Sequence, residues 1–189
     1  MHTPRTATNA AGFRGDPLLS GVLVGFGPVL APSDRGSGRT AVVDIQAPAL
    51  ASWLREVDPA DVPVYFNHDD DRDPLGRFAV LELAERGLVE TFALDDTPAS
   101  WLIVEQSDER PLYLSAQFKI LRSHRGPELR DGSRVVVADE VAVTEISLTL
   151  TPADDRCLVE TVRGRRPAWL GRLDAAQRDE VLKRTFGLR

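Results

Sequence analysis

The sequence predicts a mainly β fold with helices, built as an antiparallel, barrel-like sheet decorated by helical segments. Three observations carry this. Short runs rich in β-branched and aromatic residues recur along most of the chain. Several are separated by tight-turn residues, too few for the crossover that a parallel pair requires. Two or three segments of helical periodicity are interspersed among the strands.

Taken in order, SGVLVGFGPVL (residues 20–30) alternates Val22, Val24 and Phe26, with glycines that permit a bend or bulge. APSDRGSGR (31–39) is a loop by its turn residues, and TAVVDIQ (40–46) is a short strand. PALASWLREV (48–57) places Leu50, Trp53, Leu54 and Val57 at helical spacing, with Pro48 in the first turn. VPVYFNH, LGRFAVLELA and GLVETFAL are three further strands, and the glycine of ERG marks a hairpin between the last two.

TPASWLIVEQS predicts a second helix with Thr97 as N-cap and Pro98 just inside it. LYLSAQFKIL follows as a strand, then SHRGPELRDGS as a polar loop, then RVVVAD and VAVTEISLTL as two strands. PAWLGRLDAAQRDEVLKRTFGLR closes the chain as one amphipathic helix with Trp169, Leu170, Leu173, Val181, Leu182 and Phe186 on its apolar side. There Asp174 and the residues after it support propagation of the helix. The expected organisation is a mobile N-terminal arm (1–17), one domain (18–162) and a C-terminal amphipathic helix (163–189).

Composition narrows the function classes. The 189 residues are 42% hydrophobic and 28% charged, as in a soluble globular domain. A net charge of −6 argues against a nucleic-acid partner, and no run reaches membrane-spanning length. The N-terminus lacks the apolar core of a signal peptide, so an intracellular setting is expected. Cys157 is the single cysteine, which excludes an internal disulfide and any multi-cysteine zinc site.

Chemistry-bearing residues are few. His68 ends an apolar strand and is followed by Asp69, Asp70, Asp71 and Asp73. As a metal site this cluster lacks a second histidine at ligand spacing and the glycine and glutamate of a calcium loop, so no metal and no cofactor is expected. The plain alternative is a solvated turn. Ser115 alternates with Leu112, Leu114, Ala116 and Phe118, and so faces opposite to the apolar side of its strand. It is either a polar-face serine or a nucleophile with the Ala116 N–H near a developing oxyanion. Glu145 shares a face with Ser147 and Thr149, opposite Ile146, Leu148 and Leu150. An exposed edge charge would explain it equally.

A serine is a weak nucleophile at neutral pH. It needs a base to take its proton, and the base needs an acid to fix its tautomer. Ser115, His68 and Glu145 supply these three types from three separate strands.

The order and context of these segments resemble the prohead (procapsid maturation) protease family of tailed bacteriophages, related to the herpesvirus assembly proteases. The family's opening GYAxxFG strand is similar to GVLVGFG (21–27), and its N/D-H-D…P-[IL]-G-R stretch to VPVYFNHDDDRDPLGR (62–77). Its DxGLxVEGxL hairpin is similar to ERGLVETFAL, its LSGLSIGF strand to PLYLSAQF, and its ExxEVSLVxxPANPxA segment to DEVAVTEISLTLTPADDRC. The likeness spans residues 20–160.

It implies a herpesvirus-protease-like antiparallel β-barrel decorated by helices. The implied roles are Ser115 as nucleophile, His68 as general base and Glu145 as the orienting acid, with Asp69 and Asp70 as alternative acids. The implied activity is a serine endopeptidase of capsid maturation that cuts scaffold or capsid-protein scaffolding segments, and itself, inside a procapsid in the bacterial host cytoplasm. A homodimer is implied as well. Tyr113 and Gln117 depart from the small residues of the family pattern, and Gln117 is available to donate a hydrogen bond at the oxyanion position. Two other readings remain: an inactive β-barrel that binds scaffold, and a phage-derived protease serving a bacterial system.

Overall fold

The computed structural model describes residues 17–32, 40–58 and 61–186. Apart from its last residue, Pro17, the expected arm lies outside them, as does most of the loop between the second and third strands. The strands are β1 (Leu18–Gly25), β2 (Gly27–Pro32), β3 (Thr40–Ile45), β4 (Pro63–Phe66), β5 (Gly76–Ala84), β6 (Gly87–Leu94), β7 (Tyr113–Glu128), β8 (Arg134–Thr149) and β9 (Val159–Arg163). Among the described residues three α-helices accompany them: α1 (Ala47–Glu56), α2 (Pro98–Gln106) and α3 (Ala175–Phe186).

The nine strands of the described residues belong to one sheet, in the order β2-β3-β8-β4-β5-β6-β1-β9, with β7 added on β8. The mixed α+β class agrees with the sequence. The barrel does not follow as expected, in two respects. First, the sheet is not wholly antiparallel: β3 and β4 each run parallel to β8, along Val135–Ala138 and Ile146–Leu148 respectively. The helix α1 between them supplies the crossover such pairs need. Second, no ladder closes the ring among the described residues. The sheet curls until Tyr113, at the start of β7, meets Leu158 in a single bridge, flanked by Leu114 N–H to Cys157 O (2.7 Å) and Val159 N–H to Leu112 O (2.9 Å). At this seam Gly21 is required, because a Cβ there would lie 2.3 Å from the Leu158 carbonyl oxygen.

Two sequence-level boundaries shift. The stretch expected as a polar loop after Leu121 continues β7 to Glu128, and RVVVAD and VAVTEISLTL form the single strand β8. Polar residues persist here because much of distal β7 faces solvent, where alternation no longer signals a core. Four register shifts twist the β7–β8 ribbon; at the one between Gln117 and Phe118, Thr144 is the extra residue.

The C-terminal helix is also shorter than expected. Leu170–Arg172 form a 3₁₀ turn, and α3 begins only at Ala175. Asp174 does not propagate a helix from upstream; it starts one. Its carboxylate accepts from Gln177 N–H (2.8 Å) while the Gln177 side chain accepts from Asp174 N–H (3.0 Å), a reciprocal cap.

The core sits between the curled sheet and the helices. Leu19, Leu23, Val64, Phe92, Leu114, Ile146 and Leu148 come from the strands, Leu50 and Trp53 from α1, and Trp101 and Ile103 from α2. Thr97 caps α2 by accepting from Ser100 N–H (3.2 Å), a contact worth about 1 kcal/mol in such caps. Ala99 to Val104 are all buried, so α2 is an interior helix rather than an amphipathic one. Val181, Leu182 and Phe186 of α3 pack on this same core, which places the helix on its own domain.

Candidate active site

The three residues singled out in the sequence converge. Ser115 lies near the start of β7, directly opposite Ser147 in the β7–β8 register, and Gln117 lies opposite Glu145. One antiparallel ribbon therefore carries both the serine and the glutamate. His68 arrives from the other edge of β8. The parallel pairing of β4 with β8 runs through Tyr65–Ser147 and Phe66–Leu148, and Asn67 N–H still bonds Leu148 O (2.9 Å). The chain then turns back across β8, and the imidazole reaches over Glu145 to Ser115.

The turn has an unusual backbone. Asn67 and His68 both adopt the left-handed region, at φ 53° and 60°. For a residue with a Cβ this costs roughly 1–2 kcal/mol, least for asparagine and its like. Two side chains of β8 hold it. The Thr149 hydroxyl donates to Asn67 Oδ1 (2.9 Å), and His68 N–H donates to Ser147 Oγ (3.0 Å). Strain concentrated at one polar turn and secured by buried hydroxyls is characteristic of functional sites.

Within the cluster, His68 Nε2 lies 2.9 Å from Ser115 Oγ, and His68 Nδ1 contacts Glu145 Oε1. Glu145 is only 4% exposed, so its charge is shielded from water and directed at the ring. A carboxylate beside Nδ1 requires the proton there, leaving Nε2 as the acceptor facing the serine hydroxyl. The second carboxylate oxygen accepts from Ser147 Oγ at 3.4 Å. This is an arrangement in which a hydroxyl can lose its proton to an imidazole whose tautomer is fixed from behind.

Glu145 is thus not the exposed edge charge that the sequence equally allowed, since it sits on a strand paired on both edges. Of the alternative acids, Asp69 turns to Arg72, which donates to it through Nε (2.6 Å). Ser147, Thr149 and Asn67 were not foreseen as site residues. The signal for Ser147 and Thr149 was visible in the sequence as the Glu145–Ser147–Thr149 alternation, and Asn67 stood in the NHD stretch, but alternation cannot tell a solvent-facing polar stripe from one covered by a turn.

The C-terminal helix adds a further neighbour. Phe186 packs its ring against Phe66, centroid to centroid 4.5 Å, two residues before His68. Arg72 donates through Nη1 to the carbonyls of Arg184 (2.9 Å) and Thr185 (2.8 Å), closing the last turn of α3. A small depression between them is lined by Phe66, Asp69, Arg72, Leu75 and Phe186.

Cys157 takes no part in the cluster. It is buried, its thiol donates to Leu23 O (3.2 Å), and burial pushes that thiol up to about 12. A thiol so protonated at neutral pH is inert.

No family model matches the chain, and no curated protein matches it in sequence. Among solved structures the chain is similar to the protease of Kaposi's sarcoma-associated herpesvirus. Against its complex with a hexapeptide phosphonate inhibitor the identity is 13%, covering 92% of this chain and 78% of that one, with a TM-score of 0.41. Against a complex of the same protease with an allosteric inhibitor the values are 14%, 92%, 91% and 0.42. Against a complex with a dimer disruptor they are 15%, 92%, 91% and 0.41.

Proposed function

We propose that the chain is a serine endopeptidase of the Ser–His–Glu type that acts in capsid maturation. One observation carries the chemistry: Ser115 Oγ lies 2.9 Å from His68 Nε2 while Nδ1 of the same ring is held by buried Glu145. In this reading Ser115 Oγ attacks the scissile carbonyl carbon as its proton passes to His68 Nε2. Glu145 stabilises the imidazolium that forms. As the tetrahedral adduct collapses, Nε2 returns the proton to the leaving amine, leaving an acyl-serine. Water then repeats the sequence, with His68 again as base, and releases the acid.

The substrate class comes from the motif resemblance to prohead proteases: scaffold, or the scaffolding segment of a capsid protein, with self-cleavage, inside a procapsid. A homodimer belongs to the same reading.

Ser115→Ala tests it. The variant is expected to fold as the wild type but to lose labelling by a peptidyl phosphonate and any self-processing, measured as intact mass after expression. Labelling or cleavage that persists in Ser115→Ala excludes Ser115 as nucleophile. The competing reading, a non-catalytic scaffold-binding module, draws on Tyr113 and Gln117 beside Ser115, and it expects no labelling of the wild type at all.

A further inference from the structure

We infer that Ser147 is a positioning residue: its hydroxyl couples the main chain of His68 to the second oxygen of Glu145, and so fixes the direction from which the imidazole meets Ser115. The inference rests on the peptidase reading above.

The hydrogen bonds form a closed circuit. His68 N–H donates to Ser147 Oγ (3.0 Å), Ser147 O–H is directed at Glu145 Oε2 (3.4 Å), and Glu145 Oε1 meets the ring of His68 at Nδ1. One residue is thus tied to one carboxylate twice, through its ring and through its backbone. With both attachments made, the imidazole has little freedom to swing, and Nε2 stays at the corner nearest Ser115.

The same hydroxyl also assigns the carboxylate oxygens. A serine hydroxyl has one proton, and here it goes to Oε2, leaving Oε1 to the ring. Ser147 is 0% exposed and stands opposite Ser115 in the ladder, so water has no ready route to replace it. Removing the hydroxyl takes the Ser147 oxygen away from the His68 N–H at a left-handed residue, where the backbone is strained and such contacts hold it.

A merely structural hydroxyl would affect stability and leave the folded site as reactive as before. The two cases are separated by Ser147→Thr and Ser147→Val, which share a branched shape suited to a strand and differ by the hydroxyl. Two readouts apply. One is the rate of Ser115 labelling by a peptidyl phosphonate in protein shown to be folded by circular dichroism. The other is the far-downfield proton signal of His68 Nδ1–H, recorded in a Ser115→Ala background.

Ser147→Val is expected to label on the order of 10²-fold more slowly, as for a sub-ångström-to-ångström misplacement, while Ser147→Thr stays within about threefold of wild type. The downfield signal is expected to vanish in Ser147→Val and to persist in Ser147→Thr. Equal labelling by the two variants, with the signal intact in both, overturns the inference. Should Ser147→Val not fold, Ser147→Ala replaces it with the same expectations. The spectroscopic arm needs no turnover: a wild type that resists labelling, yet loses its signal only without the hydroxyl, removes the peptidase reading and leaves the role of Ser147 standing.

Discussion

At the scale of single residues, two buried carboxyls of this domain sit in contrasting surroundings. Glu145 is surrounded by partners. Glu90, on β6 between Gly21 of β1 and Leu81 of β5, is 1% exposed, and neither of its oxygens has a hydrogen-bond partner among the described residues. Burial raises its carboxyl well above the ordinary carboxylate range, so the folded state favours its neutral form. The unfolded chain ionises near the ordinary value of about 4.3. The folded state therefore binds the extra proton above that pH, and stability declines as pH rises from there toward the raised value, by up to about 1.4 kcal/mol per unit. Glu90→Gln removes this dependence. Urea unfolding at pH 5 and pH 8 is expected to show a smaller loss in the variant than in the wild type, and parallel losses would rule the account out.

At the scale of elements, α3 packs behind the turn that carries His68. Its last turn is clamped by Arg72, and Phe186 rests on Phe66, immediately ahead of the Asn67–His68 turn. Phe186→Ala removes an aromatic pair and part-buried apolar area, together worth about 1–2 kcal/mol. Amide exchange at residues 67–72 is expected to accelerate in this variant. Arg166→Ala, which removes only the exposed ion pair with Asp108, should leave that exchange unchanged. Equal protection of the turn in all three proteins would show that α3 is only a cover.

How much of this was legible in the sequence also depends on the element. The helices α1 and α2 follow directly from Pro48, Thr97 and apolar spacing. Ser115, His68 and Glu145 were identifiable as residue types in plausible strands, with motif resemblance to order them. The end of the β7 strand and the unity of β8 were not, because solvent-facing ribbon and loop share a polar composition. The start of α3 was misplaced because an aspartate that caps a helix and one inside it differ only in what the glutamine three residues on is bonded to. The parallel partners of β8 were invisible as well, since pairing direction leaves no local pattern.

At the scale of the whole molecule, the site is an intersection of distant parts of the chain. Ser115 and Glu145 belong to one hairpin, whereas His68 stands 47 residues before the first and 77 before the second. Its position depends on the parallel pairing of β4 with β8, on α1 as the crossover, and on α3 behind the turn. Local hairpins form quickly, and non-local parallel pairs form late because the loop entropy must be met first. During refolding from urea, strand signal in far-ultraviolet circular dichroism should therefore recover before phosphonate reactivity at Ser115; simultaneous recovery would contradict this order. If that order holds, the parallel seam at β4 serves as a timer. On the peptidase reading proposed above, a half-assembled chain would carry its serine and glutamate on a finished ribbon with no base beside them, so that cutting would wait until β4 has docked.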